Sequence, residues 1–150
     1  MAQKFFFHRT KITPDADPKT FWQLLVGANL RVALRFIEIK PIGATSASSP
    51  IQFELLKQTT AGTAAPGAFQ KESPACGEDI ISTIADTFTV EPTASTPAYP
   101  MTIHQQGTLI WRPPTSNGLI VMLEAERWGF RLNHGSVPAL PIEVCSHFEE

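Results

Sequence analysis

Ile51-Gln52-Phe53-Glu54-Leu55 alternates apolar with polar residues. The same alternation returns in Met101-Thr102-Ile103-His104, in Trp128-Gly129-Phe130-Arg131-Leu132 and in Ile142-Glu143-Val144-Cys145-Ser146-His147-Phe148. A period of two sends successive side chains to opposite faces of a strand, so each segment offers one face to a core and the other to water. Pro- and Gly-rich stretches separate the segments. Repeated short strands with such turns predict an all-β protein, a jelly-roll-like antiparallel sandwich of about eight strands with long loops.

Working outward, Lys4 to Ile12 reads as a first strand, closed by the turn cluster Thr13-Pro14-Asp15-Ala16-Asp17-Pro18. Thr20 to Val26 has two readings. It could be a helix capped by Asp17 with Pro18 at its first position, or a strand turning at Gly27-Ala28-Asn29; the strand is preferred because the segment is short. Leu30 to Pro41 is the longest strand. Its alternation changes phase at Phe36-Ile37, which predicts a β-bulge or a passage from one sheet to the other. Asp86 to Val90, Met101 to Arg112 with a break at Gly107, and Pro141 to Phe148 read as further strands. Leu119 to Glu124 is continuously apolar, so a central strand covered on both faces is expected there. Three segments, 43–50, 58–76 and 91–100, are rich in Thr, Ala, Ser and Pro and read as long loops.

At 150 residues the chain fits one domain, with residues 1–20 as an N-terminal arm or edge strand before a sandwich over 21–150. The apolar fraction, 43%, supports a real core, whereas charged residues make up only 17%, below the usual ~25%. A surface of Thr, Ser, Gln and Pro loses few hydrated charges on contact with another protein. Twelve basic residues are scattered against 14 acidic ones for a net charge of -2, so no phosphate-binding patch is expected and nucleic acid is excluded as a partner. The apolar stretch Phe5-Phe6-Phe7 is too short for a signal peptide, and no apolar run is long enough to span a membrane. Synthesis in a cytoplasm follows. The two cysteines, Cys76 and Cys145, read as free thiols, with a single long-range disulfide the other possibility.

No nucleophile elbow, phosphate loop, dinucleotide fingerprint or zinc-protease motif occurs, so no catalytic residue and no cofactor are expected. Among His8, His104, His134 and His147, only His147 shares a strand face with a cysteine, Cys145. That pair suits zinc, but no third or fourth ligand is evident and no metal site is expected. Glu54, Glu124 and Glu126 read as solvated strand-edge charges rather than a glycosidase pair. Trp22, Trp111 and Trp128 read as core, against a sugar-stacking platform in which Trp111, beside Arg112, is the best member.

The order of segments resembles the small virion structural proteins of tailed bacteriophages. The resemblance is carried by Leu30 to Ile39, the loop Gly43 to Pro50, Phe53 to Thr63, Ala85 to Thr89, Gly107 to Pro114, Gly129 to Leu132, Pro141 to Val144 and Phe148 to Glu150. It implies a non-enzymatic capsid decoration, or cement, protein at the capsid surface of a virion. Such a protein bridges and stabilises neighbouring major capsid subunits and associates with copies of itself as a trimer, with no small-molecule ligand. A tail or fibre component, and outside the resemblance a carbohydrate-binding sandwich or a small barrel holding an apolar ligand, are the alternatives. The expected partner contacts are Phe5, Phe6 and Phe7 in the arm, with Thr45, Ser48, Thr60, Thr63, Pro66, Phe69, Thr93 and Tyr99 in the loops. Deleting residues 1–12 is then expected to weaken capsid binding while the sandwich stays folded.

Overall fold

A computed structural model describes residues 3–43, 50–73, 79–134 and 138–150, without the side chains of 94, 95, 97 and 98. Among the described residues the chain forms twelve strands and no helix: β1 (Phe5–Ile12), β2 (Lys19–Leu25), β3 (Arg31–Pro41), β4 (Pro50–Gln58), β5 (Thr63–Pro66), β6 (Gln70–Lys71), β7 (Thr83–Val90), β8 (Ala94–His104), β9 (Leu109–Trp111), β10 (Ile120–Leu123), β11 (Arg127–Leu132) and β12 (Ile142–Glu149). All pairings are antiparallel. The first sheet runs β10-β3-β12-β1-β6, with β9 also on β3; the second runs β5-β7-β2-β11-β4-β8. The two pack as an antiparallel sandwich, and among the described residues no helix is long and apolar enough to cross a membrane.

The inward residues of the alternating segments make one core. Phe6, Leu34, Ile37, Ile39, Ile142, Val144 and Phe148 come from the first sheet, and Trp22, Leu24, Ile51, Phe53, Leu55, Phe130 and Leu132 from the second. Trp22 lies between Phe130, stacked at 6.1 Å, and Phe148, edge-on at 5.4 Å. Thr20 to Val26 settles as strand. Opposite β11 the register slips so that Phe21 is an extra residue between Thr20 and Trp22, and both Phe21 and Trp22 become fully buried.

The phase change in β3 is a bulge. His147 pairs with Phe36 and Phe148 with Leu34, which leaves Arg35 unpaired; on either side of it β3 changes its second neighbour from β10 to β9.

Three expectations give way. Segments 58–76 and 91–100 are not loop throughout: the described part of the first contains β5 and β6, and residues 94–100 of the second begin β8. Their prolines suggested loops, yet β5 and β8 are the two edges of the second sheet, where Pro66, Pro97 and Pro100 remove no donor from an interior ladder. With the split at Gly107, these additions raise the count above eight. Leu119 to Glu124 is not central: β10 is an edge strand with alternate residues exposed. Within 1–20, expected as an arm or an edge strand, β1 is a sheet strand rather than an arm, paired with β12 along its length and with β6 at Phe6 and Phe7. β1 lies between β12 and β6, Phe6 is fully buried, and β2 already begins at Lys19.

Candidate functional site

The register of the first sheet stacks its outward side chains in rows. Phe5, Glu149, Ala33 and Val121 form one row, followed by Phe7, His147 and Phe36, then Arg9, Cys145, Glu38 and Ile110, then Lys11, Glu143 and Lys40. Of the six large apolar residues exposed among the described residues, four lie on this face: Phe5 (36%), Ile110 (55%), Val121 (47%) and Leu123 (49%).

At the centre His147 is held on every side. Its ring stacks on Phe36 at 4.1 Å and on Phe7 at 5.6 Å. Nδ1 faces Glu72 Oε1 at 2.8 Å, and that carboxylate takes Arg35 on both oxygens at 3.1 Å. Arg35 lies over the Phe5 ring at 4.7 Å. On the other side, Nε2 faces Cys145 Sγ at 3.5 Å and Glu38 Oε2 at 3.7 Å. The ligand atoms of Glu38, Cys145 and His147 all lie within 4.8 Å of one another. Cys145 is a buried free thiol. Burial pushes it up from its ordinary value, against the opposing effect of Arg9.

The sequence pairs Cys145 with His147 and offers no third donor; the structure places the Glu38 carboxylate beside them. β3 and β12 pair Cys145 directly with Glu38, a juxtaposition that alternation cannot reveal. The only prior sign was that Glu38, past the phase change, belongs to an outward set.

The expected partner contacts divide. Phe5 and Phe7 belong to the outer face just described. Phe6 does not, because it points the other way into the core, and Phe69 packs on it at 4.7 Å as a core plug. Thr60, Thr63, Pro66 and Thr93 are exposed beside the second sheet. There Thr60 and Thr93 join their own loops, with the Thr93 N–H donating to Thr60 Oγ1 at 2.8 Å and the Thr59 N–H to the Thr93 carbonyl at 2.9 Å. Tyr99 is half-buried against Trp111 at 5.8 Å. Thr45, Ser48 and Cys76 lie outside the described residues.

Other readings of the chemistry also sharpen. Trp22 and Trp128 are buried, so neither can stack on a sugar. Glu54 is not solvated: it is buried on the outer side of the second sheet and paired with Arg131. Glu126 pairs with Lys57 and accepts from the Trp128 indole at 3.0 Å. His8 is buried, with Nδ1 3.0 Å from the Ala68 carbonyl and Nε2 3.2 Å from Asp86.

No family model, curated protein or solved structure matches the chain. What the outer face offers chemically is four exposed apolar side chains among rows of paired charges, with a thiol, an imidazole and a carboxylate convergent at its centre.

Proposed function

We infer that this chain is a non-enzymatic structural protein that docks on another protein through the outer face of its first sheet and the edge of β10. The observation that carries the reading is the character of that edge. Exposed strand edges are ordinarily blunted by Pro, Lys or a covering loop. The second sheet follows the rule at both edges with Pro66, Pro97 and Pro100, whereas Ile120-Val121-Met122-Leu123 carries neither Pro nor charge. Among the described residues no strand pairs with its free side. Val121 and Leu123 are exposed along that edge. Exposed apolar side chains along an open edge suit association, since exposed apolar area marks interaction sites.

The partner we propose is the major capsid protein of a tailed bacteriophage, with this chain a capsid decoration protein of jelly-roll-like form, grouped with copies of itself as a trimer around a local axis. It is made in the host cytoplasm and retained on the virion surface. A stiff core with one adhesive face fits a bridge between capsomers, because a protein that binds only the assembled shell stabilises it by mass action. A tail or fibre position uses the same face.

Density-gradient fractionation of the source lysate tests the reading, with copy number measured against the shell protein. Comigration at hundreds of copies per particle is expected. A handful of copies moves the protein to the tail or a fibre, and absence from particles overturns the virion assignment.

A further inference from the structure

We propose that Glu38, Cys145 and His147 bind a single zinc-class divalent cation on the outer face of the first sheet. The donor set is one thiolate, one imidazole and one carboxylate, each an established zinc ligand. Tetrahedral zinc with ordinary Zn–S and Zn–N lengths sets its sulfur and nitrogen about 3.5 Å apart, and nitrogen and carboxylate oxygen slightly closer. The corresponding separations are 3.5 Å for Cys145 Sγ to His147 Nε2 and 3.7 Å for His147 Nε2 to Glu38 Oε2. Two ligand-atom separations therefore stand close to the edges of a coordination tetrahedron, and the third, Cys145 Sγ to the Glu38 carboxylate, lies within 4.8 Å.

The surroundings of the imidazole argue for a ligand rather than a surface side chain. A metal-bound histidine typically gives its other ring N–H to a carboxylate, which fixes its tautomer and orientation. Glu72 occupies that place at 2.8 Å from Nδ1, and is itself fixed by Arg35 through both oxygens. Phe36 and Phe7 clamp the ring from its two faces. With Nδ1–H donated to Glu72, the Nε2 lone pair points toward Cys145 and Glu38.

Charge also balances. A thiolate and a carboxylate neutralise a divalent cation, so the half-buried site carries no net charge, whereas an unpaired buried ion is costly. Glu38 and His147 are partly exposed, leaving the fourth position open to water as in zinc sites with three protein ligands. The charged groups facing the site from neighbouring elements are Arg9 on β1, Glu143 on β12 itself, and Glu72 with Arg35. Because Cys145 and Glu38 are a registered pair, the bound ion ties β12 to β3.

Cobalt(II) titration of the reduced full chain tests the site, since cobalt substitutes for zinc and reports thiolate coordination. A thiolate-to-cobalt charge-transfer band that saturates at one cobalt per chain, and is bleached by one equivalent of zinc, is expected. Cys145→Ser should lose the band, Glu38→Gln should weaken binding, and Glu72→Gln should weaken it about 10–100-fold while keeping the band, as second-shell changes do. Zinc should raise the Tm of the wild type but not that of Glu38→Gln, a partly exposed position where folding is not at issue. Absence of the band, or a band that persists unchanged in both Cys145→Ser and Glu38→Gln, overturns the proposal.

Discussion

The Trp22 indole N–H donates to the Ser146 hydroxyl at 2.8 Å, joining β2 of one sheet to β12 of the other across the middle of the core. Both residues are fully buried. Apolar packing holds the sheets together without directional preference, while this bond fixes how they are positioned. Ser146→Ala leaves the indole N–H without a partner, and a loss of about 1–3 kcal/mol is expected. In a Trp22→Phe background the same change should cost much less, since no donor remains to be orphaned. Urea unfolding of the four proteins measures the coupling; equal losses in both backgrounds would show that the bond contributes nothing specific.

Removal of residues 1–12 should unfold the protein rather than detach an arm. β1 supplies the ladder between β12 and β6, and Phe6 stacks on Phe148 at 5.6 Å inside the core. A cooperative transition lost in thermal scans of the truncated chain is the expected result. A truncated chain with wild-type Tm contradicts the pairing of β1 with β12.

Glu150 couples stability to pH. Burial pushes its carboxyl up, but the N–H of Ile81, the hydroxyl and N–H of Ser82, and the charge of Lys4 outweigh burial and hold it below the ordinary glutamate value. The folded state therefore binds this proton more weakly than the unfolded chain does, so stability rises with pH in this range. The contribution is complete above the ordinary value of about 4.3 and disappears as pH falls through the lower folded value. Glu150→Gln should be less stable at neutral pH, with a shallower loss of stability on acidification. Parallel pH profiles for the two proteins would remove Glu150 from the account.

The adhesive face separates docking from folding. Val121 and Ile110 point away from the core, so Val121→Lys and Ile110→Lys should leave stability within about 0.5 kcal/mol. Both should abolish retention on purified particles, because a lysine there must be desolvated against the partner. Wild-type retention by both variants would move the docking surface to the Thr60–Thr93 side.

Local pattern was enough to specify the class of fold. The alternation in Ile51 to Leu55 and Ile142 to Phe148 is a property of adjacent residues, and each of those segments is a strand buried on the side expected. Even the β3 bulge was legible as a slipped phase at Phe36-Ile37, because a bulge displaces every side chain beyond it to the other face. Pro66, Pro97 and Pro100 misled for a corresponding reason. Proline forbids only an interior ladder position, and whether a strand is interior depends on its neighbours rather than on its own residues.

The sequence by itself determined which residues of the alternating segments face a core, and the Cys145–His147 pair two residues apart on one strand. Tertiary structure decided what lies beside each strand. It paired β1 with β12 along its whole length and left β10 at an open edge, and it brought Glu38 and Glu72 to opposite sides of the His147 ring. Alternation sets the face of a side chain along its own strand. Its lateral neighbours depend on hydrogen-bond register between segments far apart in the chain, which core packing selects collectively.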